Sequence, residues 1–226
     1  RAAVHAAMVE KIDENVGKVL KSLKKLEVLD NTLIVYLSDN GSAAHLADLM
    51  NVPYRGSKAQ MWEGGTKTHF IAQWPKLVKP GTMTENVGWV GDILPTCLEI
   101  AGAKYPSEFR GTKTQALDGR SLLPVLKGKE RPAPEYLFSN DRGQQGVLHH
   151  GRWKLLIEPG WYPNTNKTPG IVYELYDLKN DPAETRNLAS QKPEMVQELR
   201  KACEAWQQRC KIVDHAKVRE ELPNMH

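Results

Sequence analysis

Two short stretches of this chain carry side chains that can do chemistry: residues 38–41 and the basic, glycine-rich segment around Lys58. Asp39 and Asn40 follow a run of apolar residues, and their carboxylate and amide oxygens are hard ligands of the kind that Ca²⁺ and Mg²⁺ prefer. Lys58 stands among glycines, where a point charge and open main-chain N–H groups favour an oxyanion such as sulfate or phosphate. The two stretches therefore predict a site for a divalent cation and an oxyanion.

Plainer interpretations of both stretches stay open at this level. Asp-Asn-Gly is also a common turn sequence, and Gly41 suits a sharp turn of the backbone. The segment around Lys58 is not a P-loop, because the spacing of Gly, Lys and Ser/Thr that such a loop requires is absent. Arg55 and Glu63 in the same segment suit a role in ordering the loop.

A strand must position the first stretch. Residues 33–37 form a continuous apolar run, which predicts a strand covered on both faces, as in α/β sheets. In such sheets, ligand sites gather at the carboxyl ends of the strands, which is where Asp39 and Asn40 fall. Apolar residues at helical spacing predict a helix over residues 2–29, and residues 68–74 predict a second strand.

The C-terminal part has a different pattern. Strand-like runs at 136–139, 146–158 and 171–178, separated by turn residues, predict a small antiparallel sheet, and Pro193 begins a last amphipathic helix. Before them, Asp92 is the predicted N-cap of a helix, and the segment 129–134 is the best candidate for a linker. We therefore predict a large α/β domain over 1–128 and a small subdomain over 129–226.

Composition excludes several classes of protein. The 226 residues carry 31 basic and 27 acidic side chains, a net charge of +4 that is spread along the chain and does not indicate nucleic-acid binding. No apolar run approaches the length of a membrane span. The chain begins with Arg1, so we expect a cut or processed segment from which any targeting signal has been lost.

Several motifs, taken together and in order, resemble those of the C-terminal half of a sulfatase of the arylsulfatase type, in the alkaline-phosphatase-like superfamily. They are GKVLKSLKKLEVLDNTLIVYLSDNG, VPYRGSKAQMWEGGTKTHFIAQWP, VGDILPTCLEIAG, LDGRSLLPVLKG, GRWKLL and ELYDLKNDPAETRNLA. The resemblance implies part of a mixed sheet flanked by helices, followed by a small α+β subdomain with an antiparallel sheet and one packed helix.

The resemblance also implies a chemistry and a division of the site. It implies hydrolysis of sulfate esters by a formylglycine nucleophile with Ca²⁺, Asp39 and Asn40 as metal ligands, and Lys58 as a catalytic residue that binds the sulfate. No Cys or Ser here begins the required motif of Cys/Ser, any residue, Pro/Ala, any residue, Arg. We therefore expect the nucleophile and half of the metal site in a missing N-terminal half, and this segment alone to be inactive.

The resemblance further implies a substrate that is a small sulfate ester or a sulfated glycan, and a secreted or periplasmic location. Two alternatives remain. One is a related phosphatase or phosphodiesterase, although the extra His ligands of such two-metal sites do not follow Asp39. The other is a non-catalytic glycan-binding module, suggested by Trp153, Trp161 and Tyr162.

Overall fold

The computed structural model describes residues 2–43, 46, 50–159 and 172–213. The α-helices are α1 (Ala2–Lys25), α2 (Glu63–Thr66), α3 (Ile93–Ala101), α4 (Leu123–Leu126) and α5 (Pro193–Cys210). The strands are β1 (Ile34–Leu37), β2 (Phe70–Gln73), β3 (Glu108–Phe109), β4 (Thr112–Lys113), β5 (Tyr136–Asp141), β6 (Gln144–His149), β7 (Trp153–Ile157) and β8 (Tyr173–Asp177). None of the helices in these ranges combines the length and the apolar character that crossing a membrane requires.

The chain divides into two compact units that do not follow its order. The first unit comprises residues 1–36 and 70–133, and the second comprises 37–69 and 134–226. The segment that carries the candidate site residues therefore belongs with the C-terminal sheet, although about 65 residues separate them in sequence. The domain boundary between 128 and 129 stays a prediction.

In the first unit, α1 ends four residues earlier than predicted. Glu27 adopts a left-handed backbone conformation with φ of 58°, and the Val28 N–H donates a hydrogen bond to the Leu23 carbonyl 3.1 Å away. This arrangement closes a helix in the way that a C-terminal glycine usually does. Because a glutamate rarely takes that conformation, the sequence gives no stop signal at this point.

The strands β1 and β2 pair as a two-stranded sheet. Residues 33–37 are not covered on both faces within the described part of the chain, because Tyr36 is 40% exposed. Cover of this strand by a missing N-terminal half stays a prediction. On β2, Phe70 and Ile71 are 47% and 60% exposed. The predicted strand 68–74 is confirmed in position but shortened by two residues at its start and one at its end.

Asp92 lies at the start of α3, but its carboxylate does not cap the helix as predicted. It is buried and accepts hydrogen bonds from the Arg120 N–H at 2.8 Å, the Trp89 N–H at 3.2 Å and the Arg131 guanidinium at 2.8 Å. The Arg131 side chain is only 6% exposed, so the predicted linker 129–134 is tied to the first unit. A buried carboxylate needs such partners, and two of the three come from distant segments, at Arg120 and Arg131.

The second unit contains a four-stranded antiparallel sheet in the order β5-β6-β7-β8. Val147, Leu155 and Leu175 lie in register on one face and pack against α5, through Leu199 and Cys203. All five side chains are fully buried. The predicted small antiparallel sheet with one packed helix is therefore confirmed.

The opposite face of this sheet is covered by the segment 55–66. Leu156 and Tyr176 lie on that face and pack against Met61 and Trp62. Since successive side chains of a strand point to opposite faces, the run from Lys154 to Ile157 is buried on both sides. The strand β7 is therefore covered on both faces, by α5 on one side and by the segment that contains Lys58 on the other.

Candidate active site

The turn after β1 presents Asp39 and Asn40. Ser38 anchors it, since its N–H donates to the His69 carbonyl at 3.3 Å and its hydroxyl donates to the Asn40 carbonyl at 2.9 Å. Asp39 is exposed and Asn40 is half-buried. Within the described part of the chain, no group donates a hydrogen bond to the side-chain oxygens of either residue. Both side chains carry hard oxygen atoms of the kind that Ca²⁺ prefers.

Gly41 is required for a reason other than the predicted sharp turn. Its N–H donates to the Gly65 carbonyl at 3.1 Å, and a Cβ at Gly41 would stand only 1.7 Å from the Gly64 carbonyl oxygen. A real side-chain carbon does not approach a backbone oxygen so closely. The glycine therefore permits the turn after β1 to lie directly against α2.

Asn51 joins the same main-chain segments through its side chain. Its Nδ2 donates to the carbonyls of Gly56 at 2.7 Å and Gly64 at 2.9 Å, and its Oδ1 accepts from the Ser42 N–H at 3.2 Å. A carboxamide is suited to this task because it has both donors and an acceptor. The sequence did not indicate Asn51, since a single Asn in a loop carries no signal of three bonds to residues 5, 9 and 13 positions away.

Lys58 is placed by its main chain. Its N–H donates to the Ser42 carbonyl at 2.9 Å, which brings it beside the turn that contains Asp39 and Asn40. Its side chain is exposed, and its ammonium has no bonded partner among the described residues. The structure therefore places the backbone of the three predicted site residues in adjoining segments, whereas their assignment as metal ligands and sulfate-binding residue stays a prediction.

The segment around Lys58 is closed into a compact loop. The Gly64 N–H donates to the Arg55 carbonyl at 2.7 Å, and the Ser57 N–H donates to Gln60 Oε1 at 2.9 Å. A Cβ at Gly64 would stand 2.4 Å from the Gly56 carbonyl oxygen. The closed loop therefore requires a glycine at this position, because any side chain would collide with the main chain. We call residues 55–66 the lysine loop.

Arg55 and Trp62 fasten the lysine loop to β8. The Arg55 guanidinium lies over the Trp62 ring at 4.2 Å and donates to the Tyr176 hydroxyl at 3.0 Å. The Trp62 indole N–H and the Tyr176 hydroxyl each donate to Glu174 at 2.8 Å. Burial, with help from the neighbouring Glu174 carboxylate, raises the pKa of Tyr176, so the phenol stays protonated as a donor.

A buried ion network fastens the other end of the loop. The Lys154 ammonium on β7 lies 2.8 Å from a Glu63 carboxylate oxygen and 3.1 Å from one of Glu184. The other Glu184 oxygen accepts the Glu63 N–H at 2.6 Å. Burial raises the pKa of Glu184, and the Lys154 charge partly opposes that rise. Lys154 and Glu184 were not predicted as partners of this loop, although a lone lysine in an apolar strand is a signal of a buried ion pair.

Asp39 and Asn40 are the two predicted metal ligands that the structure describes. Among the described residues no three His, Cys, Asp or Glu side chains come together as a metal group. Asp39 and Asn40 offer hard oxygen atoms that suit Ca²⁺, but Ca²⁺ takes six to eight oxygens, so two side chains cannot complete its shell. The turn thus carries two oxygen-bearing side chains, and the main chain of Lys58 lies beside it.

Comparison with known proteins identifies the family. The model of the sulfatase family matches residues 1–103, and the model of the C-terminal region of N-sulphoglucosamine sulphohydrolase matches residues 56–209. The second match spans more than half of the chain and contains both the lysine loop and the C-terminal sheet. The two matches follow one another along the chain in the same order as the sulfatase motifs in the sequence.

Individual relatives agree with these matches. The chain is 28% identical over 221 residues to an N-acetylgalactosamine-6-O-sulfatase of Bacteroides thetaiotaomicron, covering 88% of this chain and 40% of that protein. It is 32% identical over 210 residues to a sulfatase of Formosa agariphila, covering 84% and 36%.

Among solved structures, Ps i-CgsB in complex with k-i-k-neocarrahexaose has a TM-score of 0.70 at 28% identity, over 88% of this chain and 41% of that one. The chain thus spans about two fifths of the length of these relatives. Because two sulfatase family models together match residues 1–209, the second over more than half of the chain, this chain belongs to the sulfatase family.

Proposed function

We propose that this chain forms part of a sulfuric ester hydrolase, in which Asp39 and Asn40 bind Ca²⁺ and Lys58 binds the sulfate group. The observation that supports this most directly is the main-chain bond from Lys58 to Ser42, which sets the lysine beside the turn with the two oxygen ligands. Ca²⁺ and a formylglycine, when present, would supply the Lewis acid and the nucleophile for cleavage of the ester.

The chain's own residues then have distinct tasks. Lys58 offsets negative charge on the sulfate oxygens, an interaction that grows as charge develops in the transition state. Asp39 and Asn40 hold one side of the cation, and the close approach of Gly41 to α2 fixes the turn that presents them. The remaining metal ligands and the nucleophile would come from a segment that corresponds to the part of the relatives that this chain does not span.

A sulfated glycan is the substrate class that the relatives favour. One is named for a sulfated amino sugar, and another is solved with a bound neocarrahexaose. A small sulfate ester remains the second possibility. A secreted or periplasmic location stays a prediction from the family.

The alternative of a glycan-binding module is less well supported, because the Trp153 ring is covered by the cations of Arg152 and Lys192 at 4.9 and 5.2 Å. Trp161 and Tyr162 lie outside the described residues.

The direct test replaces Lys58 with Ala in the longest polypeptide that the reading frame containing these 226 residues encodes. We expect kcat on a chromogenic aryl sulfate to fall by about 10²-fold or more, the scale for one electrostatic stabiliser. Lys179→Ala, which removes an exposed lysine of the same unit, is the control and should retain full kcat. Equal kcat in the Lys58→Ala and unmodified proteins would refute the assignment of Lys58.

Two further measurements test the rest of the proposal. Asp39→Ala should weaken Ca²⁺ binding in a titration of the same polypeptide, and unchanged affinity would remove Asp39 from the ligands. The 226-residue chain by itself should show no turnover, with or without added Ca²⁺. Turnover by this chain would show that the nucleophile lies within it.

A further inference from the structure

Three buried polar side chains of the second unit contact the lysine loop from the sheet side. Gln144 on β6 is fully buried, Lys154 on β7 is 4% exposed, and Glu184, in the segment after β8, is 1% exposed. Polar groups are rarely buried this deeply unless bonded, and replacing such networks by apolar residues is often neutral or stabilising. Stability alone therefore does not account for all three.

Gln144 acts on the residue next to Lys58. Its Nε2 donates to the Ala59 carbonyl at 2.9 Å. Ala59 has φ of 69°, a left-handed conformation that is costly for a residue with a side chain. Such a conformation persists where surrounding contacts over-determine it. The bond from Gln144 is one of those contacts, and it fixes the direction in which the chain leaves Lys58.

Lys154 and Glu184 act on the far end of the same loop. Glu184 accepts the first N–H of α2, that of Glu63, and Lys154 bridges the carboxylates of Glu63 and Glu184. Lys154 also donates to the Thr66 hydroxyl at 3.3 Å. These bonds hold α2, against which the turn with Asp39 lies through Gly41. Gln144 and the ion network thus contact the main chain on the two sides of the candidate site.

We propose that Gln144, Lys154 and Glu184 are positioning residues, through which the C-terminal sheet sets the place of Lys58 relative to the metal-ligand turn. This proposal rests on the proposed function, because the three residues are argued to position Lys58 for binding the sulfate group. The sheet then supports the lysine loop, and each of the three residues acts through that loop without touching the substrate.

The first experiment uses the chain of 226 residues and measures amide hydrogen exchange in Gln144→Met, which keeps the length and apolar stem of the side chain but removes the bond. We expect exchange at Lys58 and Gln60 to rise about fivefold or more, as the loss of one net hydrogen bond implies. The β5–β8 amides should stay within about twofold. Gln191→Met, at an exposed position, should change neither set. Unchanged exchange at Lys58 would overturn the role of Gln144.

The second experiment separates positioning from structure by a double-mutant cycle. In the longest polypeptide from the same reading frame, Gln144→Met should lower kcat about tenfold with little change in KM, because only the alignment of Lys58 is lost. In a Lys58→Ala background, Gln144→Met should have almost no further effect. An equal loss in both backgrounds would mean that Gln144 only supports the fold.

The cycle also distinguishes the two proposals. If Lys58→Ala leaves kcat unchanged, the proposed function fails and the positioning role fails with it. If Lys58→Ala lowers kcat but Gln144→Met does not, the positioning proposal alone is wrong. Lys154→Arg, which retains a charge and two carboxylate partners, should recover part of the kcat that Lys154→Met loses, and no recovery would contradict the role of the ion network.

Discussion

The two units of this protein bury their apolar residues to very different extents. In the second unit, Leu155, Leu175 and Leu199 are fully removed from solvent. In the described part of the first unit, the buried apolar residues are Leu122 and Leu123, at 8% and 9% exposure. None of the residues of α1 is buried. The second unit thus has a closed core of its own, whereas the first presents apolar surface to solvent.

This difference explains where the candidate site is well defined. The lysine loop belongs to the second unit, in which β6, β7, β8 and the turn with Glu184 all bond to it. Two of these bonds reach its main chain, at Ala59 and Glu63. The apolar stripe of α1 and the exposed faces of β1 and β2 are the kind of surface that other protein segments cover. We propose that a further segment of the polypeptide, corresponding to the part of the relatives that this chain does not span, covers that surface.

The largest effect on stability is expected from Lys154→Met, which tests whether the second unit depends on its buried ion network. The substitution leaves the carboxylates of Glu63 and Glu184 buried without their cation. We expect the free energy of unfolding of the second unit to fall by about 3–5 kcal/mol. Hydrogen exchange read by mass spectrometry would show faster exchange in β5–β8, with Lys201→Met, at an exposed site, as the control. A loss below about 1 kcal/mol would show that the network is not what holds the loop.

The next effect compares one apolar residue from each unit. Leu199→Ala opens a cavity at a fully buried site and should cost about 2–5 kcal/mol. Ile12→Ala on α1, where the residue is 46% exposed, should cost less than about 1 kcal/mol. Denaturant unfolding followed by exchange in each unit measures both. Equal costs would mean that α1 is buried against something in solution.

A smaller effect concerns acid, and it is confined to the second unit. Hydrogen bonding to Arg152, at 2.7 and 2.9 Å, lowers the pKa of Asp177 to about 2, against a desolvation that acts in the other direction. Because the folded-state pKa is depressed, the stabilisation is present above pH of about 4 and is lost as the pH falls towards about 2.

Arg152 is 45% exposed, so solvent screening limits this stabilisation to about 1 kcal/mol. Asp177→Asn should therefore lower the unfolding free energy at pH 7 by that amount and have little effect near pH 2. A constant difference across this range would show that the charge of Asp177 does not matter.

The smallest effect on folding, with a separate effect on association, is expected at the exposed stripe of α1. Val4, Met8 and Ile12 lie four residues apart and are 65%, 61% and 46% exposed. Replacing all three with Ser should change unfolding by less than about 0.5 kcal/mol per site. Light scattering should show less self-association than in the unmodified chain, whereas Ser at Lys11 and Glu14 should not reduce it. An unmodified chain that is a monodisperse monomer would contradict this expectation.

Much of the fold could be predicted from local patterns. Alternating and continuous apolar runs placed β1, β2 and β5–β8, and the apolar spacing of Val196, Leu199 and Cys203 placed α5. These signals are local, because a strand or helix shows its buried face in its own sequence. The end of α1 at Lys25 and the burial of Asp92 could not be predicted, since the first depends on the left-handed conformation of Glu27 and the second on a distant partner, Arg131.

For the candidate site, the sequence by itself determined the chemistry that is available: two hard oxygen side chains after a strand, a lysine among glycines, and the order of motifs that marks a sulfatase. Only the tertiary structure decided that the lysine loop lies on the C-terminal sheet, and that Gln144, Lys154 and Glu184 bond to it. The reason is physical. Residue type fixes which bonds a side chain can form, but pairing across more than 80 residues of sequence depends on how the whole chain packs.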